Sequence, residues 1–97
     1  MPELTFEWNA RKAADNLRKH GVSFEEAKSA FLDENARLIA DPLHSDDEDR
    51  FVLLGLSVQL RILVVVHCFR EKDAVIRLIS ARKAVKAERA QYSEFPS

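Results

Sequence analysis

The segment Leu60–Phe69 constrains this chain more than any other part of it. It is rich in Ile and Val, and its aliphatic centre, Ile62 to Val66, is far too short to cross a bilayer. β-Branched residues in a run of this length read as a buried strand. Arg70-Glu71-Lys72-Asp73 supplies a polar turn, and Ala74 to Ala81 returns as a second strand. A hairpin this apolar is not stable alone and needs a second layer packed on it.

The N-terminal third provides that layer. Leu4-Thr5-Phe6-Glu7-Trp8 alternates as a short strand with Leu4, Phe6 and Trp8 inward. Asn9 suits an N-cap, Ala10 to His20 reads as a helix with Ala13, Ala14 and Leu17 as its apolar stripe, and Gly21 stands where a left-handed C-cap belongs. Ser23 and Glu26 form a capping box, with Val22 placed to staple onto Ala27. The second helix carries Phe24, Ala27, Ala30 and Phe31. Ala36 to Ala40 reads as a strand, Asp41 to Asp49 as an acidic loop, and Arg50 to Leu56 as a strand in which Gly55 marks a bulge or a close approach. Arg82 to Tyr92 is helical by propensity, and residues 93–97 read as a frayed tail. The order is β-α-α-β-β-β-β-α in one domain over residues 1–92. The expected architecture is α+β: a twisted antiparallel sheet, two N-terminal helices on one face, a C-terminal helix, and the opposite face free.

Composition narrows the function classes. The single cysteine, Cys68, excludes an internal disulfide and reads as packing. Met1-Pro2-Glu3-Leu4 lacks the basic and apolar regions of a signal peptide, so a cytoplasmic address is expected, away from membranes. One cysteine and three scattered histidines make no zinc set, and the consecutive acids Asp46 to Asp49 lack EF-hand spacing. No metal and no cofactor is expected. Gly-rich phosphate loops and the G-x-S-x-G elbow are absent from the sequence.

Net charge is −1, but it is unevenly spread: residues 61–97 carry eight Lys or Arg against four Asp or Glu, and residues 1–60 carry seven against twelve. Alternation sorts the basic part. Ile62, Val64, Val66 and Cys68 form an apolar set expected to meet the helices, leaving Arg61, Leu63, Val65, His67 and Phe69 outward. On the returning strand Ile76, Leu78 and Ser80 are expected inward, and Val75, Arg77, Ile79 and Ala81 outward; Arg82 can reach either face. Arg61, Arg77 and His67 on one surface suit an anion, since the guanidinium fork matches phosphate. The same arginines can also be plain solubilising groups. His67 can pack among apolar neighbours instead of moving protons, and His44 in the acidic loop is either a solvated side chain or a general acid or base.

One set of strings goes further. Phe6-Glu7-Trp8-Asn9, Lys12, Asn16, Lys19-His20-Gly21-Val22-Ser23-Phe24-Glu25-Glu26-Ala27, Asp41-Pro42, His44-Ser45-Asp46, Arg50-Phe51, Arg61 to His67, Arg70 and Ile76 to Ala84 resemble the BrnT family of bacterial type II toxins, as do Glu88-Arg89 and Tyr92. The resemblance runs nearly end to end. It implies a RelE-like fold and a metal-independent endoribonuclease that inhibits translation. It also implies neutralisation by a ribbon-helix-helix antitoxin, with operator DNA bound only through that antitoxin. For such metal-free cleavage, Arg61, Arg77 and Arg82 are expected to hold the scissile phosphate of RNA. His67, or else His44, would act as acid or base, and Arg50, Arg70, Lys83 and Tyr92 would contact RNA. The competing expectation is a binding module of weak or no activity that docks an antitoxin or other partner through its basic sheet face.

Overall fold

The computed structural model describes residues 4–39, 50–70, 72 and 74–94. The acidic segment with His44 lies outside the described residues, as do residues 95–97. The chain forms β1 (Thr5–Glu7), α1 (Ala10–His20), α2 (Phe24–Ser29) continued by a 3-10 turn at Ala30–Leu32, β2 (Arg37–Ile39), β3 (Phe51–Leu56), β4 (Ile62–Arg70), β5 (Val75–Lys83) and α3 (Lys86–Glu94). The expected element order holds. The last helix starts four residues later than expected because β5 runs on through Lys83, and it continues two residues past Tyr92.

The five strands lie in the order β1-β5-β4-β3-β2. β2 to β5 form an antiparallel meander, and β1 adds to the outer edge of β5 in parallel. A parallel neighbour needs a long crossover, and everything from α1 to β4 provides it. Sequence fixes α1 closely. Asn9 accepts the Lys12 N–H at 3.1 Å, and Gly21 ends the helix at φ +70° with its N–H on the Leu17 carbonyl. At α2 the Ser23 hydroxyl accepts the Glu26 N–H at 3.0 Å, which is half of the expected capping box. The Glu26 carboxylate does not complete it.

The main core joins α1, α2 and one sheet face: Val22, Phe24, Ala27 and Ala30 meet Leu53, Leu63, Val65, Ile76, Leu78 and Ala81. This reverses the expected orientation of β4. Leu63, Val65 and the buried His67 point at the helices, and Ile62, Val64 and Val66 point away. Both alternating sets of β4 are apolar, so period alone names two faces without saying which one the larger layer takes. Polar content misled the choice, because Arg61 and His67 find partners on the helix side. The second face is not free either: Val52, Leu54, Val64 and Ala84 form a smaller core to which Ile39, Ile62, Val66 and Tyr92 of α3 add.

β5 carries a second departure. Val66 pairs with Ser80 and His67 with Leu78, so Ile79 has no partner on β4. The extra residue inverts alternation beyond it. Ala81, expected outward, is fully buried in the main core, and Ser80, expected inward, turns with Val66 to the other face. Gly55 is a close approach: a Cβ there would lie 2.8 Å from the Ala30 carbonyl oxygen.

The most buried residue of α1 is polar. Asn16 receives the Ala81 N–H at 3.0 Å on its oxygen, and its amide group donates to the Ala81 carbonyl and the Val22 carbonyl, both at 2.8 Å. β1 pairs with β5 only over Val75–Arg77, so at Ala81 the carboxamide does what a neighbouring strand would do. Asn16→Ala leaves two buried backbone groups of β5 unpaired and is expected to cost about 2–3 kcal/mol. Urea unfolding measures it; an unchanged midpoint would contradict the role.

Candidate functional site

Three of the arginines singled out by sequence lie on the α3 side of the sheet, Arg70 and Arg77 together at Glu7 and Arg82 apart from them at Glu88. Arg77 leaves β5 there, opposite Cys68 of β4, and its Nη1 donates to Glu7 Oε2 of β1 at 2.8 Å. Arg70, at the end of β4, reaches the same oxygen through Nε at 3.4 Å. Glu7 and Arg77 are register partners across the parallel pair, so the backbone brings them together. Arg82 projects from the same side, opposite Val64, and grips Glu88 of α3 with both terminal nitrogens at 2.8 Å. That guanidinium holds the Glu88 carboxyl below the usual carboxylate range, against a smaller opposing effect of burial. Glu88 also accepts the Val85 N–H at 2.9 Å, which ties the start of α3 to the sheet. Arg50 directly precedes β3, two residues from Val52 of the same face.

Lys83 is exposed and pairs with Leu63, so alternation turns it from the side of Arg82. Tyr92 anchors α3: its hydroxyl donates to Asp33 Oδ2 at 2.6 Å. Burial and that hydrogen bond raise the phenol to about 12. Asp33 also accepts the N–H groups of Leu56 and Asn35; with Tyr92, these outweigh burial and keep its carboxyl low. Cys68 is half-buried on the Arg77 side.

Arg61 and His67 do not join this cluster. Arg61 stands just before β4 and turns to the helix layer, where Nε donates to Glu26 Oε2 at 2.9 Å, Nη2 contacts Glu26 Oε1, and Nη2 donates to the Gly21 carbonyl at 3.0 Å. The Ser57 hydroxyl donates to the same carboxylate at 2.7 Å. Glu26 is buried, and Arg61 holds it ionised against the effect of burial. His67 is fully buried, ringed by Phe31, Phe51 and Phe69 with centroids 4.9 to 6.2 Å away. Its Nδ1 lies 3.1 Å from the Val65 carbonyl, and Nε2 has no partner among the described residues. Burial pushes the imidazole below its ordinary value, a shift that the Val65 contact only partly offsets. Sequence reading missed Glu7. The available signal was its place between Phe6 and Trp8, which alternation turns to the opposite face on a strand read only for its apolar residues.

Fold and site together define a small α+β protein that gathers arginines on the face of a sheet opposite its two N-terminal helices. Residues 8–88 match the profile of the ribonuclease toxin BrnT of type II toxin–antitoxin systems, and the chain belongs to that family. The crystal structure of the Brucella abortus ribonuclease toxin BrnT has the same fold: TM-score 0.66 at 21% identity, over 87% of this chain and 100% of that one. No curated protein sequence matches the chain. Among the described residues no helix is long and apolar enough to cross a membrane, and no group of His, Cys, Asp or Glu could hold a metal ion.

Two measurements follow from these placements. Arg61→Ala strands a buried carboxylate and is expected to cost about 3 kcal/mol, whereas Arg77→Ala, with a half-exposed partner, costs under about 1 kcal/mol; equal losses in urea would refute the distinction. His67 binds its proton less readily folded than unfolded, so its contribution is complete above the ordinary value of 6.5 and is lost as pH falls below it. Stability of the unaltered chain is expected to drop as pH falls below 6.5, and His67→Leu to flatten that slope. An unchanged slope in the variant would count against the buried neutral imidazole.

Proposed function

We propose that this BrnT-family chain is a metal-independent endoribonuclease that inhibits translation in the bacterial cytoplasm and is neutralised by a ribbon-helix-helix antitoxin, through which alone it would meet operator DNA. The observation that carries the catalytic part is the Glu7 carboxylate held between Arg77 and Arg70 on an accessible sheet face. RNA cleavage without a metal needs a base for the 2′-hydroxyl, cations for the crowded phosphate, and an acid for the departing 5′-oxygen. Glu7 takes the proton. Arg77 and Arg70, released in part from Glu7 as it becomes neutral, turn their donors to the phosphorane oxygens. Arg82 and Arg50 bind flanking phosphates on the same face. Complete burial removes His67 from proton transfer to RNA, which leaves His44 as the proton donor in this scheme. Arg61, Lys83 and Tyr92 carry no chemical step.

The competing reading, a binding module of low activity, draws support from the carboxylate partners that Arg61, Arg70, Arg77 and Arg82 already have. Growth arrest on expression separates the two.

Purified chain is expected to cleave single-stranded RNA, free or on ribosomes, in the presence of EDTA, leaving 2′,3′-cyclic phosphate ends. Arg77→Ala and Glu7→Gln are expected to slow cleavage about 100-fold or more, and His67→Leu to retain most of it. Full activity in Glu7→Gln would sink the assignment, and no cleavage by the unaltered chain would sink the enzyme.

A further inference from the structure

We propose a second, lysine-lined RNA phosphate site in the cleft between α1 and β5, continuous with the arginine face. It rests on the ribonuclease reading and names where the RNA strand runs after it leaves the arginines. Lys12, Asn16, Lys19 and His20 line one wall of this cleft and Ile79 and Ser80 the other, around about 180 Å³. The four α1 residues share one helix face by their spacing.

The opening exists because of three features already described. β1 covers the β5 edge only as far as Arg77. Asn16 covers it at Ala81. The unpaired Ile79 bends the strand between them. Ser80 thus lies at the rim shared by the cleft and the arginine face, three residues from Arg77 and two from Arg82. Arg77 and Ser80 are about 10 Å apart along the strand.

The chemistry of the cleft suits a phosphate. Lys12 and Lys19 present ammonium groups that no carboxylate neutralises among the described residues, unlike Arg61, Arg70, Arg77 and Arg82. Asp15, the acid of the lining, is engaged by Arg18 at 2.5 Å. Ser80 and His20 add hydrogen-bonding groups to the lining. A cation with no internal partner gives up less on meeting a phosphate than one already paired.

The test measures binding of a short single-stranded RNA with 2′-O-methyl groups, which removes the attacking hydroxyl, by fluorescence anisotropy across a salt series. Lys12→Gln/Lys19→Gln is compared with Arg11→Gln/Lys28→Gln, which removes the same charge from elsewhere on the two helices; all four residues are exposed. The cleft variant is expected to bind about tenfold more weakly, with the log–log salt slope shallower by about 1.4, the value for two lost phosphate contacts on a single strand. The control variant keeps both near the unaltered values. Equal losses in the two variants, or none in either, overturn the cleft site and leave the ribonuclease reading standing. Failure of the unaltered chain to bind the RNA overturns both.

Discussion

The buried carboxylate of Glu26 is the interaction on which the layering depends. Arg61 and Ser57 both satisfy it, and they stand on either side of the β3–β4 turn. The Ser29 hydroxyl, one helical turn on, accepts the Val58 N–H at 2.9 Å and takes hold of the turn itself. The turn needs holding, because Leu60 sits there at φ +61° with its side chain exposed, a conformation that L-residues other than glycine seldom adopt. A buried ion pair adds little net stability over apolar packing of equal volume, yet losing one partner is costly. Its effect is therefore selective. It ties α2 to both ends of the β3–β4 turn, on the side of the sheet where Leu63 and Val65 also pack.

Which face of β4 is interior was beyond local sequence. Caps and breakers at Asn9, Gly21 and Ser23 act over three or four residues, and the helix limits they imply match the structure closely. Strand existence and succession along the chain were equally legible, since each strand is an apolar run between polar breaks, but the expected antiparallel sheet did not foresee β1 lying parallel to β5. Arg61 finds its partner in Glu26, 35 residues earlier, and alternation along β4 carries no trace of such a pairing. The site suffered doubly. Arg77 was placed correctly because it precedes the unpaired Ile79, whereas Ser80 and Ala81 follow it and were exchanged. His67 looked chemical because histidine among aliphatic residues is conspicuous, but a cage of Phe31, Phe51 and Phe69 suits a neutral imidazole.

Charge pairing explains how a protein of net charge −1 can carry a basic face. Glu88 pairs with Arg82, and Glu7 is shared by Arg77 and Arg70, so two carboxylates offset part of the charge of three arginines and orient them at the same time. Such pairs lower long-range attraction for a polyanion while leaving short-range geometry intact. Arg82 and Glu88 also fix the start of α3 to the sheet, so the seating of the last helix draws on one of these pairs.

The carboxamide of Asn16 has a further consequence, for the behaviour of many molecules together. β5 is a long, apolar strand whose outer edge β1 covers over only three residues. An uncovered edge of that kind invites strands from other copies to add to it and seeds aggregates. By occupying both backbone groups of Ala81, one asparagine on a neighbouring helix leaves a gap too short for a foreign strand to enter. A single side chain buried against the sheet edge thus limits how many backbone groups another copy could pair with there.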